Sequence, residues 1–227
     1  MKTNVYFSLL AIVAISVAAC SKDKIDDLEE GTIIPTETAI SISAATNSST
    51  AEGSRETGAD EEDLLANSTF SSTVRIAFNG TSATVENGVS GVTVTTSGAD
   101  VVINSAVKEV AYEVTGSTTD GMLKIYSSNK YKLTLNGVSI KNNDGPAINI
   151  QSGKRAFIVL NGTNTLEDGV TYATSTEDQK GTFFSEGQLI FSGEGTLNLI
   201  GNNKHALASD DYIRFISGTF NITKATT

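Results

Sequence analysis

The sequence predicts an all-β protein whose main domain is a solenoid of parallel strands, and three observations support this fold. From about residue 68 onward, short stretches alternate apolar and polar residues, which is typical of strands with one buried face. No stretch of a dozen residues after the first twenty shows the periodicity of an amphipathic helix. Strands that end in an Asn-Gly or Ser-Gly step recur, with their glycines at Gly137, Gly162, Gly193 and Gly218. A repeat of about 24 residues with two or three short strands fits one coil of a parallel β-solenoid.

The composition of the 227-residue chain excludes several classes of protein. Its single cysteine, Cys20, rules out an internal disulfide framework and a zinc or iron–sulfur site built from several cysteines. Its single histidine, His205, rules out a histidine-rich metal centre. The formal charge of −10 argues against general nucleic-acid binding, which needs clustered lysine and arginine.

Most of this negative charge lies in one short segment. Residues 21–66 contain twelve acidic and three basic residues, whereas residues 67–227 contain fourteen acidic and twelve basic ones. The net charge therefore describes the segment before the repeats. The nearly balanced repeat domain remains compatible with an acidic ligand.

The first nineteen residues have the pattern of a secretory signal peptide. Lys2 precedes an apolar run from Val5 to Ala19 that is too short to span a bilayer comfortably. Small residues come directly before Cys20, and this arrangement resembles that of bacterial lipoproteins, whose mature chain begins at a lipid-modified cysteine. The resemblance implies cleavage before Cys20 and lipid attachment to its thiol. The alternative is an ordinary cleaved signal followed by a chance cysteine.

Residues 20–66 are predicted to form a lipid-anchored, acidic and disordered linker. The segment is rich in Ser, Thr, Ala, Asp and Glu and poor in large apolar side chains, so it cannot bury enough apolar surface to offset its chain entropy. Its densest acidic run is Asp60–Asp63, and like charges extend such a chain. We expect the linker to hold the repeat domain, residues 67–227, away from the membrane, although a plain solvated linker has the same composition.

The repeat also predicts which residues lie above one another in neighbouring coils. Asn136 and Asn161 are expected to stack as a structural ladder at a corner, and one insertion near residues 168–174 accounts for the single longer interval. Asn-Gly steps also form hairpins, so an antiparallel β-sandwich is the alternative fold, but a sandwich gives no reason for a constant interval. Three inward-facing pairs are expected: Leu133 over Ile158, Leu135 over Leu160, and Leu189 near Ile213.

An ordered series of motifs runs through about residues 73–222. In chain order the motifs are Tyr112-Glu113-Val114-Thr115-Gly116, Asp120-Gly121, Leu133 to Ile140, Asp144 to Ile148, Asn164 to Gly169, and Phe184-Ser185-Glu186-Gly187. This series resembles a family of secreted bacterial proteins described as carbohydrate-binding domain-containing. The resemblance implies a right-handed parallel β-helix related to pectate-type polysaccharide lyases. It also implies binding of plant cell-wall polysaccharides, especially acidic pectic chains, with bound calcium.

The C-terminus departs from the pattern of this family. Its members usually continue for several more coils, whereas this chain stops at Thr227, shortly after the last predicted strand. A solenoid needs a cap over its final coil, and no cap is recognisable here. The repeat domain is therefore expected to be incomplete at its C-terminus.

Adjacent carboxylates mark the candidate metal site. Asp210 and Asp211 form the one Asp-Asp pair within the repeats, and Glu186 comes one repeat before Asp210. Two carboxylates stacked about 4.8 Å apart repel each other unless a cation lies between them, and calcium prefers oxygen ligands. The sequence therefore predicts a calcium site at Glu186, Asp210 and Asp211, with turn formation at a corner as the alternative. A second series is interpreted as turn formers at one corner: Asp120, Asp144, Asp178 and Asn202.

Aromatic and basic surface residues are the candidates for sugar binding. Tyr126 and Tyr212 are predicted to stack on sugar rings, because tyrosine tolerates one wet edge, and Lys124 can pair with a uronate carboxylate. Lys204 and Arg214 flank the Asp-Asp pair, so they are candidate ligand-binding cations and the residues a lyase would use as its base. Each of the five could instead be an ordinary solvated surface residue.

The sequence thus predicts a lipid-anchored protein of the bacterial cell surface, at the outer membrane, that binds an acidic plant polysaccharide with the help of calcium. It is expected to be a binding protein and not an enzyme. Two alternatives stay open, a calcium-dependent polysaccharide lyase on the same scaffold and a surface adhesin or structural protein without a glycan ligand.

Overall fold

The computed structural model describes residues 38–42 and 60–226. The predicted signal peptide, Cys20 and most of the predicted linker lie outside these residues. Within them the chain forms two short 3₁₀ helices, Glu61–Asp63 and Leu65–Asn67, and none of its helices is long and apolar enough to cross a bilayer. The described strands are β1 (Thr38–Ile42), β2 (Ser72–Asn79), β3 (Ala83–Glu86), β4 (Val92–Ser97), β5 (Asp100–Ser105), β6 (Val110–Thr118), β7 (Met122–Ser127), β8 (Tyr131–Asn136), β9 (Ser139–Lys141), β10 (Ile148–Ile150), β11 (Ala156–Asn161), β12 (Thr163–Glu167), β13 (Gly181–Ser185), β14 (Leu189–Gly193), β15 (Thr196–Ile200), β16 (His205–Ser209), β17 (Ile213–Phe215) and β18 (Gly218–Lys224).

Most strands pair in parallel with their counterpart in the next repeat, and they form three stacks. The first stack runs β5, β7, β10, β13 and β16. The second runs β6, β8, β11, β14 and β17, and the third runs β6, β9, β12, β15 and β18. Strand β6 belongs to two stacks because its first half pairs with β8 and its end pairs with β9. The predicted all-β class is confirmed, and its sheets are mostly parallel.

The registers predicted from the repeat are confirmed. Asn136 pairs with Asn161 at the carboxyl ends of β8 and β11. The three apolar pairs also form as expected: Leu133 with Ile158, Leu135 with Leu160, and Leu189 with Ile213. Parallel pairing at a repeated interval rules out the antiparallel β-sandwich.

The recurring glycines lie at corners where the backbone takes a left-handed conformation. Their φ angles are 65° at Gly137, 63° at Gly162, 103° at Gly193 and 111° at Gly218. Residues with a Cβ rarely adopt such angles, and a Cβ at Gly193 would lie 2.3 Å from the carbonyl oxygen of Leu160. The periodic glycines therefore mark corners that the repeat requires.

The inward side chains of the stacks form the apolar core. At its C-terminal end four phenylalanines meet, with ring centroids 4.7 to 5.7 Å apart: Phe183, Phe191, Phe215 and Phe220. Strand β1 pairs antiparallel with β18, the last strand of the third stack. The sequence places β1 in the linker, yet this strand provides hydrogen-bonding partners at the edge of β18.

Residues 60–71 lie across the outer face of the second stack, and we call them the N-terminal strap. Phe157 and Ile190 occupy outward positions next to each other in register on β11 and β14, but each is only 1% exposed. The Phe70 ring packs edge-on against the Phe157 ring at a centroid distance of 5.7 Å. The strap therefore covers apolar residues that the repeat alone would leave in water.

Charged hydrogen bonds hold the N-terminal strap in place. The Asp63 carboxylate is buried, and it accepts hydrogen bonds from Arg155 Nε at 2.7 Å, the Tyr212 hydroxyl at 2.7 Å and Arg214 Nη1 at 3.0 Å. Residues 60–66 thus belong to the packed part of the chain, although their composition places them in the linker. The difference arises because the partners of Asp63 lie far away in the sequence, where composition gives no sign of them.

Replacing Asp63 should destabilise the fold more than replacing its neighbour Glu62. Asp63→Ala leaves two arginines without their shared, buried acceptor, so we expect the free energy of unfolding to fall by about 3 kcal/mol. Glu62 also pairs with Arg155, at 2.8 Å, but its side chain is 72% exposed, so Glu62→Ala should cost less than about 1 kcal/mol. Urea denaturation followed by circular dichroism measures both. Equal losses would show that the burial of Asp63 does not matter.

Candidate functional site

The outer face of the first stack carries polar side chains in two columns, and we call it the polar face. One column aligns Lys124 on β7 with Asn149 on β10 and Phe184 on β13. The other column lies two residues further along each strand, at the carboxyl ends, where backbone hydrogen bonds join successive repeats. Its members are Asn104, Tyr126, Gln151, Glu186 and Asp210. Parallel register thus brings to one edge groups that lie far apart in the sequence.

A groove of about 500 Å³ lies at one end of this column. Its wall includes Thr93, Asn104, Tyr126, Ser127 and Gln151. The groove therefore combines one partly exposed aromatic ring with hydroxyl and amide groups, which is the chemistry that sugar hydroxyls and sugar rings require.

The insertion between β12 and β13, residues 168–180, folds over the polar face, and we call it the 168–180 loop. Its Glu177 accepts a hydrogen bond from Lys124 Nζ at 3.0 Å and a second one from the Tyr126 hydroxyl. Lys180 Nζ lies 5.4 Å from the centroid of the Phe184 ring, which is fully buried despite its outward position. The loop therefore brings a carboxylate to the two strand residues predicted to bind sugar.

These contacts shift the pKa values of Glu177 and Tyr126. The hydrogen bond from Tyr126, together with Lys124, lowers the pKa of Glu177. Burial, and then the hydrogen bond to Glu177, raises the pKa of Tyr126 to about 12. Both shifts favour an ionised Glu177 that accepts from a neutral phenol and a charged amine at neutral pH.

Three carboxylates form an acidic cluster at the other end of the polar face. Oxygen atoms of Asp178, Glu186 and Asp210 all lie within 4.8 Å of one another. Lys180 Nζ donates to Asp178 at 2.8 Å and to Asp210 at 2.5 Å. Burial, and then the charges of Asp210 and Asp178, raises the pKa of Glu186. With one ammonium against three carboxylates, the acidic cluster keeps an excess of negative charge, and it could hold a divalent cation through its oxygen atoms.

The structure separates the two members of the predicted Asp-Asp pair. Asp210 lies in the acidic cluster with Glu186, as the repeat suggests. Asp211 accepts a hydrogen bond from Gln188 Nε2. Among the residues that the structure describes, the acidic cluster contains Asp178, Glu186 and Asp210 but not Asp211. Asp178 also departs from its expected corner ladder, because it lies in the acidic cluster while Asn202 donates to Asp168.

The five predicted sugar-binding residues lie on two different faces. Lys124 and Tyr126 are on the polar face. Tyr212 directly precedes β17 of the second stack and Arg214 lies within it, and both contact Asp63 of the N-terminal strap. Lys204 contacts the 168–180 loop, since its Nζ donates to the Gln179 carbonyl at 2.7 Å and lies 5.7 Å from the Tyr172 ring centroid.

Sequence reasoning missed four residues of the polar face. Asn104 and Gln151 line the groove, and a signal for Gln151 was present, because it follows Tyr126 by the same interval that separates Ile125 from its partner Ile150. Asn149 follows Lys124 by the same interval and pairs with it in register. Glu177 gave no signal, because it lies in an insertion that has no counterpart in the other repeats.

Comparison with known proteins identifies the family of this chain. The family described as carbohydrate-binding domain-containing protein matches residues 92–227, and the chain belongs to this family. No curated protein matches the chain.

Among solved structures, the chain is similar to a polysaccharide lyase-like protein from C. thermocellum, determined as a gadolinium derivative. The two share 23% sequence identity with a TM-score of 0.55, and the match covers 63% of this chain. The chain spans 58% of the length of that protein, and at this identity the likeness concerns the fold alone.

Proposed function

We propose that this protein is a cell-envelope lipoprotein that binds an acidic polysaccharide on its polar face. The observation that carries the proposal is the groove beside Tyr126, where an aromatic ring, two amides and several hydroxyl groups converge. Membership of a carbohydrate-binding family supports the same ligand class. The acidic plant glycan, calcium and surface location are further parts of the proposal, motivated by the sequence.

The scaffold in this proposal is a right-handed parallel β-helix. Three stacks of parallel strands, in which each strand pairs with its counterpart in the next repeat, support a coiled chain path. The right-handed sense is supported by the general preference of parallel strand crossovers for that hand. A coiled path repeats one face at each turn, so it offers a long glycan a regular row of polar groups.

Each part of the groove has a distinct chemical role in binding. The Tyr126 ring provides an apolar surface for the C–H face of a sugar. The side-chain amides of Asn104 and Gln151 can donate to and accept from sugar hydroxyl groups. Outside the groove, but on the same polar face, Lys124 offers a cation to a sugar carboxylate, because ammonium–carboxylate hydrogen bonds are among the stronger ones.

Calcium in this proposal occupies the acidic cluster. Asp178, Glu186 and Asp210 would supply oxygen ligands. Burial, and then the charges of Asp210 and Asp178, raises the pKa of Glu186, and a divalent cation would relieve the repulsion among the three carboxylates. The Lys180 ammonium now offsets part of this charge, so it competes with a metal ion.

Binding without catalysis is the preferred function. Of the two cations considered as a lyase base, Lys204 donates to the Gln179 carbonyl and Arg214 pairs with Asp63. Lys204 therefore holds the 168–180 loop, and Arg214 holds the N-terminal strap.

Tyr126→Ala should weaken binding of polygalacturonate at least tenfold, because it removes the stacking surface of the groove. Tenfold corresponds to about 1.4 kcal/mol. Isothermal titration calorimetry measures the effect, and Thr163→Ala, an exposed site on β12 of another stack, serves as the control.

Incubation with polygalacturonate also tests catalysis, since an unsaturated product that absorbs in the ultraviolet would contradict pure binding. A glycan array without signal for any acidic or neutral plant polymer, with and without calcium, would favour an adhesin or structural protein.

Glu186→Gln and Asp210→Asn should each reduce calcium affinity at least tenfold, whereas Asp211→Asn should leave it within about twofold. Because the pKa of Glu186 is raised, calcium must displace a proton that persists to higher pH than usual. Affinity should therefore fall as the pH drops through that pKa, and binding should release protons. Calorimetry at several pH values and in two buffers of different ionisation enthalpy measures both effects. Equal losses in the Asp210 and Asp211 variants would contradict the assignment.

The lipid anchor is tested at Cys20. Cys20→Ala should abolish metabolic labelling with a radioactive fatty acid and release the protein from the membrane fraction, since no other thiol is present in the chain. Cys20→Ser removes the thiol with a smaller change in size and should behave in the same way. Labelling that survives both substitutions would show that the signal is an ordinary one.

A further inference from the structure

Glu177 holds the two donors of the polar face that best suit a carboxylate. Lys124 Nζ and the Tyr126 hydroxyl each donate to a different oxygen of its carboxylate. The Lys124 side chain is 16% exposed and that of Glu177 is 31% exposed, so the pair is partly shielded from water. Shielding makes a charged hydrogen bond stronger and more selective for a negative partner.

A third donor lies on the same face with no partner. Asn149 pairs with Lys124 in register, points outward, and is 1% exposed. Its Oδ1 accepts from Gln151 Nε2 at 2.7 Å, and that same Nε2 donates to the Asp178 carbonyl at 2.8 Å. No acceptor among the described residues lies within hydrogen-bond distance of Asn149 Nδ2. A buried amide donor thus lies on the strand next to Lys124, and leaving it unpaired costs free energy.

The 168–180 loop is anchored by contacts that do not involve Glu177. Asp168 is buried, and it accepts from the Tyr172 hydroxyl and from the backbone amide of Asn202, both at 2.5 Å. The backbone amide of Ala173 donates to the Asp144 carbonyl at 2.7 Å. Lys180 ties the other end of the loop to Asp210. The Glu177 side chain can therefore leave its donors while the loop stays attached at both ends.

We propose that Lys124 and Tyr126, which Glu177 occupies in the free protein, form together with the unpaired amide of Asn149 a carboxylate-binding subsite that the carboxylate of an acidic sugar occupies in the complex. The inference rests on the proposed function, since it names the sugar class and the atoms that select it. An ammonium, a phenol and an amide together offer three donors, and a carboxylate offers two acceptor oxygens with several lone pairs. A neutral sugar has no charged group to exchange for Glu177, so the subsite selects uronates.

Glu177 in this arrangement is an internal competitor. When the binding-competent state is only a fraction of the population, the apparent dissociation constant rises by the inverse of that fraction. Removing the competing carboxylate should therefore tighten binding of an acidic sugar and leave binding of a neutral one unchanged. A purely structural Glu177 predicts the opposite sign, because its loss would loosen the loop and weaken every ligand.

The experiment compares tetragalacturonate with a neutral galactose tetramer by calorimetry, at one saturating calcium concentration so that the acidic cluster is in the same state throughout. Glu177→Ala should tighten tetragalacturonate binding at least fivefold without changing the neutral tetramer. Lys124→Met should abolish the preference for the acidic tetramer. Glu194→Gln, which removes an exposed carboxylate from a different corner, is the charge-matched control and should change neither affinity. If Glu177→Ala folds poorly, Glu177→Gln should tighten acidic binding in the same direction.

A spectroscopic readout follows occupancy of the subsite directly. Ultraviolet titration of the phenols, with Tyr126→Phe to assign the signal, should show the pKa of Tyr126 falling from about 12 in Glu177→Ala and rising again when tetragalacturonate is added. Acidic binding that is unchanged or weakened in Glu177→Ala, in a protein that still binds sugar, overturns this inference and leaves the proposed function standing. If neither tetramer binds to the wild-type protein or to any variant, the proposed function fails as well.

Discussion

Parallel pairing between successive repeats is the constraint on which the rest of this structure depends. Each strand bonds to its counterpart in the neighbouring repeat, so side chains at equivalent positions must stack one strand spacing apart. On the inner side this stacks Leu133 on Ile158 and closes the core. On the outer side it aligns Lys124 with Asn149. The core and the polar face are therefore two sides of one register, and a shift of one residue would exchange them.

The outer faces of the stacks also carry apolar residues, and segments outside the repeat cover them. The N-terminal strap covers Phe157, and the 168–180 loop carries Lys180 over Phe184. Each segment also brings a carboxylate to a cation of the strands, Asp63 to Arg155 and Glu177 to Lys124. These two contacts differ in burial: Asp63 is almost inaccessible, whereas Glu177 is partly exposed. The first suits a structural role and the second suits recognition.

The repeat interval predicts some residues of the candidate site and not others. A constant repeat interval places Glu186 and Asp210 one above the other, so the sequence predicts their proximity. Asp211 is adjacent to Asp210 in the sequence, but successive residues of an extended chain point in different directions, and Asp211 accepts a hydrogen bond from Gln188. Asp178 and Glu177 lie in the insertion, which interrupts the interval, so only folding of the 168–180 loop over the polar face could place them.

The sequence by itself determined the all-β class, the repeat interval, the registers and the corner glycines. These features follow from local alternation and from identical residues at a fixed spacing, which need no knowledge of distant contacts. The tertiary structure alone decided that the acidic run at Asp60–Asp63 packs on the domain, that β1 pairs with β18, and that Glu177 meets Lys124 and Tyr126. Those contacts join segments that share no period, and their energy comes from burial and charge pairing between residues far apart in the chain.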